Sequence, residues 1–332
     1  MYFKKMERIK ILFVIILFPV VGFCQQFLVL DTSNSAIPSN IIKTLNTDSA
    51  GNIWFVTGDC FSGGNLVCYN NKTFIEYDTT NGIPDNFITC IAFDNNGRLW
   101  AGSRYHGISS FNGKTWINYN PLNSALPDIH ARCITIDKLN RLWIGTDNGL
   151  AVFYNNKWEV FNKANSALPD NTVNSIACDN KSNAIWIATD KGILYAYNYS
   201  AIKEMINPAP IVYTKKNSAL PDDLTTQVLL DDSSNVWISS WGGIVKIEND
   251  KWKVITPNDS KLPSFVEYII TPHLNQLWIA TNMGLYILKN DQWQIYTPSN
   301  SNIPNFFINK VIFDKTGNAW IATQSGLVKC SR

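Results

Sequence analysis

The chain has 332 residues, of which 13% are aromatic and only 16% charged, with a formal net charge of +2. Few charges and many aromatics exclude a disordered polypeptide and suit a β-rich body with large packed interfaces. Without a basic cluster there is no electrostatic footprint for nucleic acid, and that partner is excluded.

The first element is a leader. Lys4, Lys5, Arg8 and Lys10 precede an apolar run from Ile11 to Val21, followed by Gly22-Phe23-Cys24-Gln25. A basic head, a short apolar stretch and small residues at −3 and −1 describe a secretory signal peptide cut after Cys24. Residues 1–24 are therefore expected to be removed, leaving 25–332 as one domain in a secreted or periplasmic location. The apolar run is too short to span a membrane. The alternative, a lipid on Cys24, fits poorly with the bulky Phe23 before it. Losing the leader removes four Lys/Arg and Glu7, so the remaining body is close to neutral.

From there a single unit repeats. Trp54, Trp100, Trp143, Trp186, Trp237, Trp278 and Trp320 follow one another at intervals of 41 to 51 residues. A period of about 42 residues is the length of one four-stranded blade, so the fold class expected is all-β, a seven-bladed β-propeller. The third unit shows its parts: Asn123-Ser-Ala-Leu-Pro-Asp128, Cys133 to Asp137, Arg141 to Thr146, Gly149 to Phe153, and Lys157 to Phe161. Leu126-Pro127 sets an extended link between blades, because proline locks its own φ and pushes its predecessor into the β region. That pair recurs as Ile37-Pro38, Ile83-Pro84, Leu168-Pro169, Leu220-Pro221, Leu262-Pro263 and Ile303-Pro304. Asp137, like Asp94 and Asp314, starts the tight turn after the first strand, where a carboxylate satisfies local backbone donors. The tryptophan sits on the second strand and is expected to fill the gap between blades. Aromatics at Phe74, Trp116, Trp158, Trp252 and Trp293 mark the fourth strand.

The last unit stops at Gly326 to Cys330 and lacks a fourth strand. Phe27 to Leu30 followed by Asn34 has the spacing of Trp293 to Tyr296 followed by Asn300. The N-terminal strand is therefore expected to complete the final blade, closing the ring and removing its edges.

Taken together, Asn-x-Leu-Pro-Asp, Ile-x-x-Asp-x-x-Gly-x-Leu-Trp-Ile-Gly-Thr, Gly-Leu-x-x-Phe and Trp-x-x-Tyr/Phe resemble the two-component-regulator propeller repeat. Ile83-Pro84-Asp85 with Asn96 to Trp100, and Leu142 to Thr146, are close matches. The resemblance implies an extracytoplasmic sensor-type propeller that binds glycans or related signals. Seven blades use up the residues after the leader, so neither a kinase nor a membrane span is expected, and a binding relative is the reading that remains.

The loop leading into the first strand and the loop between strands two and three are expected on one face, where differences between repeats give specificity. The shared pattern there is Thr146-Asp147-Asn148-Gly149. Blade 2 replaces it with Ser103-Arg104-Tyr105-His106-Gly107, blade 3 leads in with Ile129-His130-Ala131-Arg132, and blade 5 has Ser240-Trp241-Gly242-Gly243. Blade 1 carries a longer loop from Asp59 to Gly64. Arg104, Tyr105, His106, His130, Arg132 and Trp241 are the candidate ligand-binding residues. Such a group suits a carboxylate, a sugar acid or an aromatic ring. The bland alternative is drift in tolerant surface loops. On the opposite face, His273 is read as solvated, and the insertion from Ile202 to Pro210 as a cover for blade 4.

Six cysteines follow the leader. Cys60 and Cys68 flank one loop and invite a bridge, whereas Cys90 and Cys133 hold equivalent positions and read as small buried hydrophobes. No Cys-x-x-Cys pair occurs, so no metal or other cofactor is expected. No Gly-x-Ser-x-Gly, His-Glu-x-x-His or phosphate loop is present, and no catalytic residue is assigned. The function expected is non-catalytic recognition of a glycan, a peptide or a cell-envelope protein. The alternatives are a metal-assisted lyase or hydrolase using His106 or His130, and a protein-interaction scaffold.

Overall fold

The computed structural model describes residues 26–59, 61, 63–198, 209–264 and 267–331. The leader, Cys60 and the insertion from Ile202 through residue 208 lie outside these. Seven antiparallel four-stranded sheets form a ring of blades. Blade 1 holds Ile42–Thr47, Ile53–Thr57, Leu66–Tyr69 and Phe74–Tyr77, innermost strand first. Blades 2 to 6 repeat the order, and each recurring tryptophan lies on its blade's second strand.

The ring closes as expected. Gln26–Leu30 pairs antiparallel with Gly326–Ser331, matching Phe27 with Cys330 and Leu30 with Leu327. Phe27 lies edge-on to Tyr296 of blade 6 at 5.1 Å, as a fourth strand should. Gly326, at φ +133, shows the same role in reverse: a Cβ there would meet the Leu30 carbonyl oxygen at 2.8 Å. In blade 3, Gly149 stands equally close to the fourth-strand carbonyl of Phe161, at 2.5 Å. Glycine opens the third strand because its neighbour strand leaves no room for a side chain.

Seven separate apolar clusters fill the seven spaces between blades. The leucine or isoleucine before each link proline plugs these spaces: Ile37, Ile83, Leu126, Leu168, Leu220, Leu262 and Ile303 are all buried. Six of the seven tryptophans are buried, and Trp237 of blade 5 is only half-buried.

Two hydrogen-bond systems complete the ring. The first joins most of the recurring tryptophans to the turn before them. The indole N–H donates to Asp48 from Trp54 (2.9 Å), to Asp137 from Trp143 (3.0 Å), to Asp231 from Trp237 (3.0 Å) and to Asp314 from Trp320 (2.9 Å). In blade 6, which has no aspartate in that turn, Trp278 donates to Gln276 instead. The second system ties inner strands across blades. Side chains of Asn46, Thr135, Asn174, Thr271 and Asn309 donate to a backbone carbonyl of the next blade at 2.7–3.0 Å. Thr89 does the same to Ala131, and Gln227 accepts from the Ile270 amide. All seven junctions carry such a bond, which satisfies buried polar groups where the inner strands meet.

Burial pushes the Asp314 carboxyl up, but donors from Thr316, Asn318 and Trp320 outweigh it and hold the group at about 2, below the ordinary 3.8. Asp48 and Asp231 are lowered by the same balance. A carboxylate with a depressed folded value contributes stability above its unfolded value and loses it as pH falls through the folded one. Melting temperature should therefore drop as pH goes from about 4 to about 2. Asp314→Asn should lower the melt at neutral pH and flatten that drop; circular dichroism melts with equal acid slopes for both proteins would contradict it.

The cysteines depart in part from expectation. Cys68 is buried on the third strand of blade 1 with a free thiol, so it forms no bridge with Cys60. Its side chain belongs to the apolar cluster between blades 1 and 2, turned away from the loop. Cys90 and Cys133 are free, and burial pushes both thiols up, Cys90 to about 11. Cys330 is disulfide-bonded.

Candidate functional site

Where the first strands begin, the ring opens into a funnel made of two adjoining hollows that share Thr89 and His130. Their volumes are about 420 and 320 Å³, and between them every blade contributes a wall residue. The walls follow a rule. A residue at the start of a first strand stands beside one in the same blade's loop between strands two and three, 15 or 16 positions later. The pairs are Lys43 with Asp59, Thr89 with Arg104, Arg132 with Asp147, Asn174 with Asp190, Thr226 with Trp241, and Asn309 with Gln324. The first residue of all six pairs sits at a β-bulge, which turns its side chain out of the ladder.

The structure brings together four of the six candidate residues. Arg104 and His130 line the first hollow; His130, Arg132 and Trp241 line the second. Tyr105 and His106 lie elsewhere. Tyr105 packs edge-on against Phe87 at 5.1 Å, with the Arg104 guanidinium 5.6 Å from its ring centre. His106 is drawn outward to Asp85, with Nδ1 3.3 Å from Oδ2. The difference is local and lies in the partner of the hydroxyl that ends the second strand, Ser103 in blade 2, Ser240 in blade 5 and threonine in the other blades. Thr146 donates to the Gly149 carbonyl at 2.7 Å. Ser103 instead donates to the buried Asp85, while its oxygen accepts from the Tyr105 and His106 amides.

Asp147 joins the site although it belongs to the shared turn pattern. It lies 2.7 Å from His130 Nδ1 and accepts from Arg132 Nε. Burial raises its carboxyl, yet the donors from Arg132 and His130 prevail and lower it. Arg132 also donates to Asn174, which passes the contact on to Asp190 at 2.8 Å. Glu267 completes the second hollow. It is open to water but walled in by the funnel, and this partial desolvation raises its carboxyl against the pull of Arg132. The two hollows therefore differ in charge. The first carries Lys43 and Arg104 against the single carboxylate Asp59, and Arg104 has no ion-pair partner among the described residues. The second sets the half-exposed Trp241 ring beside Arg132, Asp190 and Glu267. Among the described residues no group of three or more His, Cys, Asp or Glu is placed to hold a metal ion.

On the opposite face, His273 does not stand free in water. Its ring stacks on Phe313 at 3.7 Å and 13°.

Residues 82–105 and 125–148 match the family model of the two component regulator propeller. With the seven blades on view, the chain is a β-propeller carrying that repeat. It is similar in structure to the extracellular domain of a hybrid two component system protein from B. thetaiotaomicron, at 22% identity and a TM-score of 0.72. That match covers 92% of this chain and 41% of the other, so the chain spans about two fifths of that protein's length. It is also similar to PorZ, a surface component of the type-IX secretion system of Porphyromonas gingivalis. There the identity is 16% and the TM-score 0.71, covering 91% of this chain and 48% of PorZ. Virginiamycin B lyase from Staphylococcus aureus matches at 15% identity and a TM-score of 0.69, covering 92% and 99% of the two chains. Identities this low speak to the fold alone. No curated protein matches the chain in sequence. Among the described residues no helix is long and apolar enough to cross a membrane.

Proposed function

We propose that the chain is an exported recognition propeller whose funnel captures a carboxylate-bearing ligand, an acidic saccharide in the first instance. The observation that carries this reading is the uncompensated Arg104 guanidinium beside Lys43 in one hollow, with the Trp241 ring in the next. A guanidinium grips a carboxylate through paired hydrogen bonds, and an indole face accepts the apolar face of a sugar ring. The sensor-type propellers that share the fold are extracellular, which agrees with the leader expected at residues 1–24. A peptide or envelope-protein carboxylate would use the same contacts and is the second ligand class to try.

A glycan array carrying uronic-acid and neutral oligosaccharides, with acidic peptides alongside, tests this. Capture should favour carboxylated ligands. Arg104→Ala should weaken it roughly 10- to 100-fold, the range for losing a hydrogen bond to a charged group. Trp241→Ala should weaken it as well, and both variants should melt as the unaltered protein does. If either variant unfolds the chain, or capture persists in both, the funnel is not the binding site. The catalytic alternative rests on His130 held by Asp147, the base-and-orienter half of proton-transfer chemistry. It predicts turnover of the captured ligand, which the same array read by mass spectrometry would detect.

A further inference from the structure

A deep cavity lies on the face opposite the funnel. It is a groove of about 780 Å³ between blades 5 and 6, walled by Trp237, Ile255, Pro272, Leu277 and Leu288. Its origin is visible in the strand registers. Between blades 1 and 2 the equivalent positions hold Trp54, Tyr77, Phe93, Leu99 and Phe111. There Trp54 stacks on Tyr77 at 5.5 Å and meets Phe93 at 5.7 Å, while Tyr77 meets Phe111 at 5.3 Å. Between blades 2 and 3, Trp100 is enclosed by Tyr119 and Phe153. At the groove three rings are replaced together, by Ile255, Pro272 and Leu288. Lost ring volume in a close-packed interface leaves space, and Trp237 is correspondingly half-buried.

The mouth of the groove carries charges of both signs in near balance, the four carboxylates Asp231, Asp232, Glu248 and Asp291 against Lys246, Lys251 and Lys253. Lys246 pairs with Glu248 at 3.1 Å and Lys253 with Asp291 at 2.8 Å. Asn235, Asn249 and Asn290 add amides. A polyanion or polycation finds no matching field there, whereas the uncharged donors and acceptors of a peptide backbone do.

We propose that this groove is a second binding site, independent of the funnel, that takes up an aromatic side chain presented by a partner polypeptide. The sister interfaces show which shape fits: a ring lying against the second-strand indole. Here the ring is supplied from outside the chain, and the backbone around it meets the amides and paired charges of the mouth. Aromatic anchors seated in such pockets dominate the energetics of protein interfaces.

N-acetyltryptophanamide and the neutral trisaccharide maltotriose can be titrated separately into the full chain, following the Trp237 indole N–H by NMR; Trp237→Phe identifies that signal. The proposal expects saturable shifts with the tryptophan derivative and none with maltotriose. Leu288→Phe and Ile255→Tyr refill the groove with the residues of sister blades. Either should weaken uptake at least about tenfold without lowering the melting temperature. Shifts with maltotriose alone, no shift with either probe, or uptake undiminished in a folded refilled variant would each overturn the proposal. The indole signal reads binding in the unaltered chain, so a variant that fails to fold leaves the test intact.

Discussion

A chain shortened to begin at Asp31 should melt roughly 5–10 °C lower than one beginning at Gln26 and should aggregate on heating. The deletion removes the outer strand of blade 7, whose five residues pair with Gly326–Ser331. Phe27 and Val29 pack into the cluster between blades 6 and 7, and Leu30 into the one between blades 7 and 1. A fully buried side chain of this kind contributes roughly 1.5–3 kcal/mol. Being half-buried, the three together should contribute about 3–5 kcal/mol, before any cost of the exposed strand edge. At about 1.5–2 °C per kcal/mol for a chain this long, the stated shift follows. The edge left on Gly326–Ser331 has unpaired backbone groups and invites pairing with a second chain. Calorimetry and light scattering on the two proteins read both effects. An unchanged, reversible melt would mean that the ring holds without its closing strand.

The blades were legible because their marks are local and repeated. A tryptophan on every second strand and a Leu-Pro or Ile-Pro link before every first strand survive in all seven units, and so does the missing fourth strand of the last. Less visible were the bonds that join these marks. The aspartates Asp48, Asp94, Asp137, Asp231 and Asp314 read as turn residues, and only the fold shows that the second oxygen of each receives an indole N–H. The cross-blade donors fall at two recurring positions, the bulge for Thr89, Asn174 and Asn309 and the residue facing the tryptophan for Asn46, Thr135 and Thr271, but no one residue type marks either position in the sequence. The funnel was half legible. Arg104, His130, Arg132 and Trp241 stood out as departures from the repeat and do meet there. Asp147 was overlooked because it conforms to the repeat, and a consensus residue gives no contrast. Tyr105 and His106 departed as well, but the buried Asp85 captures one and Phe87 the other. The groove between blades 5 and 6 was hidden for the opposite reason. It is made by three ordinary aliphatic residues, and their meaning appears only when aligned strands reveal the rings they replace.

Trp143→Ala should be the most damaging single substitution of a recurring tryptophan, costing roughly 3–5 kcal/mol, whereas Trp237→Ala should cost only about 1–2 kcal/mol. Trp143 is fully buried at 0% exposure between blades 3 and 4, with the Arg141 guanidinium 5.5 Å from its ring centre. Its removal leaves a cavity that strands on both sides hold open, so the loss includes the void as well as the transfer of the ring. It also takes a donor from Asp137, a carboxylate only 4% exposed. Arg141 still reaches that carboxylate at 2.5 Å, which keeps the charge compensated and caps the added cost near 1 kcal/mol. Trp237 makes the same bond to Asp231, but its ring borders a groove that water can enter. Its truncation widens an existing opening and creates no sealed void, so the cavity contribution falls away. Trp143→Phe, which keeps a ring and loses the N–H, should fall between the two. Urea unfolding of the three variants measures the order directly, and equal costs at the two tryptophans would show that the groove is closed in solution.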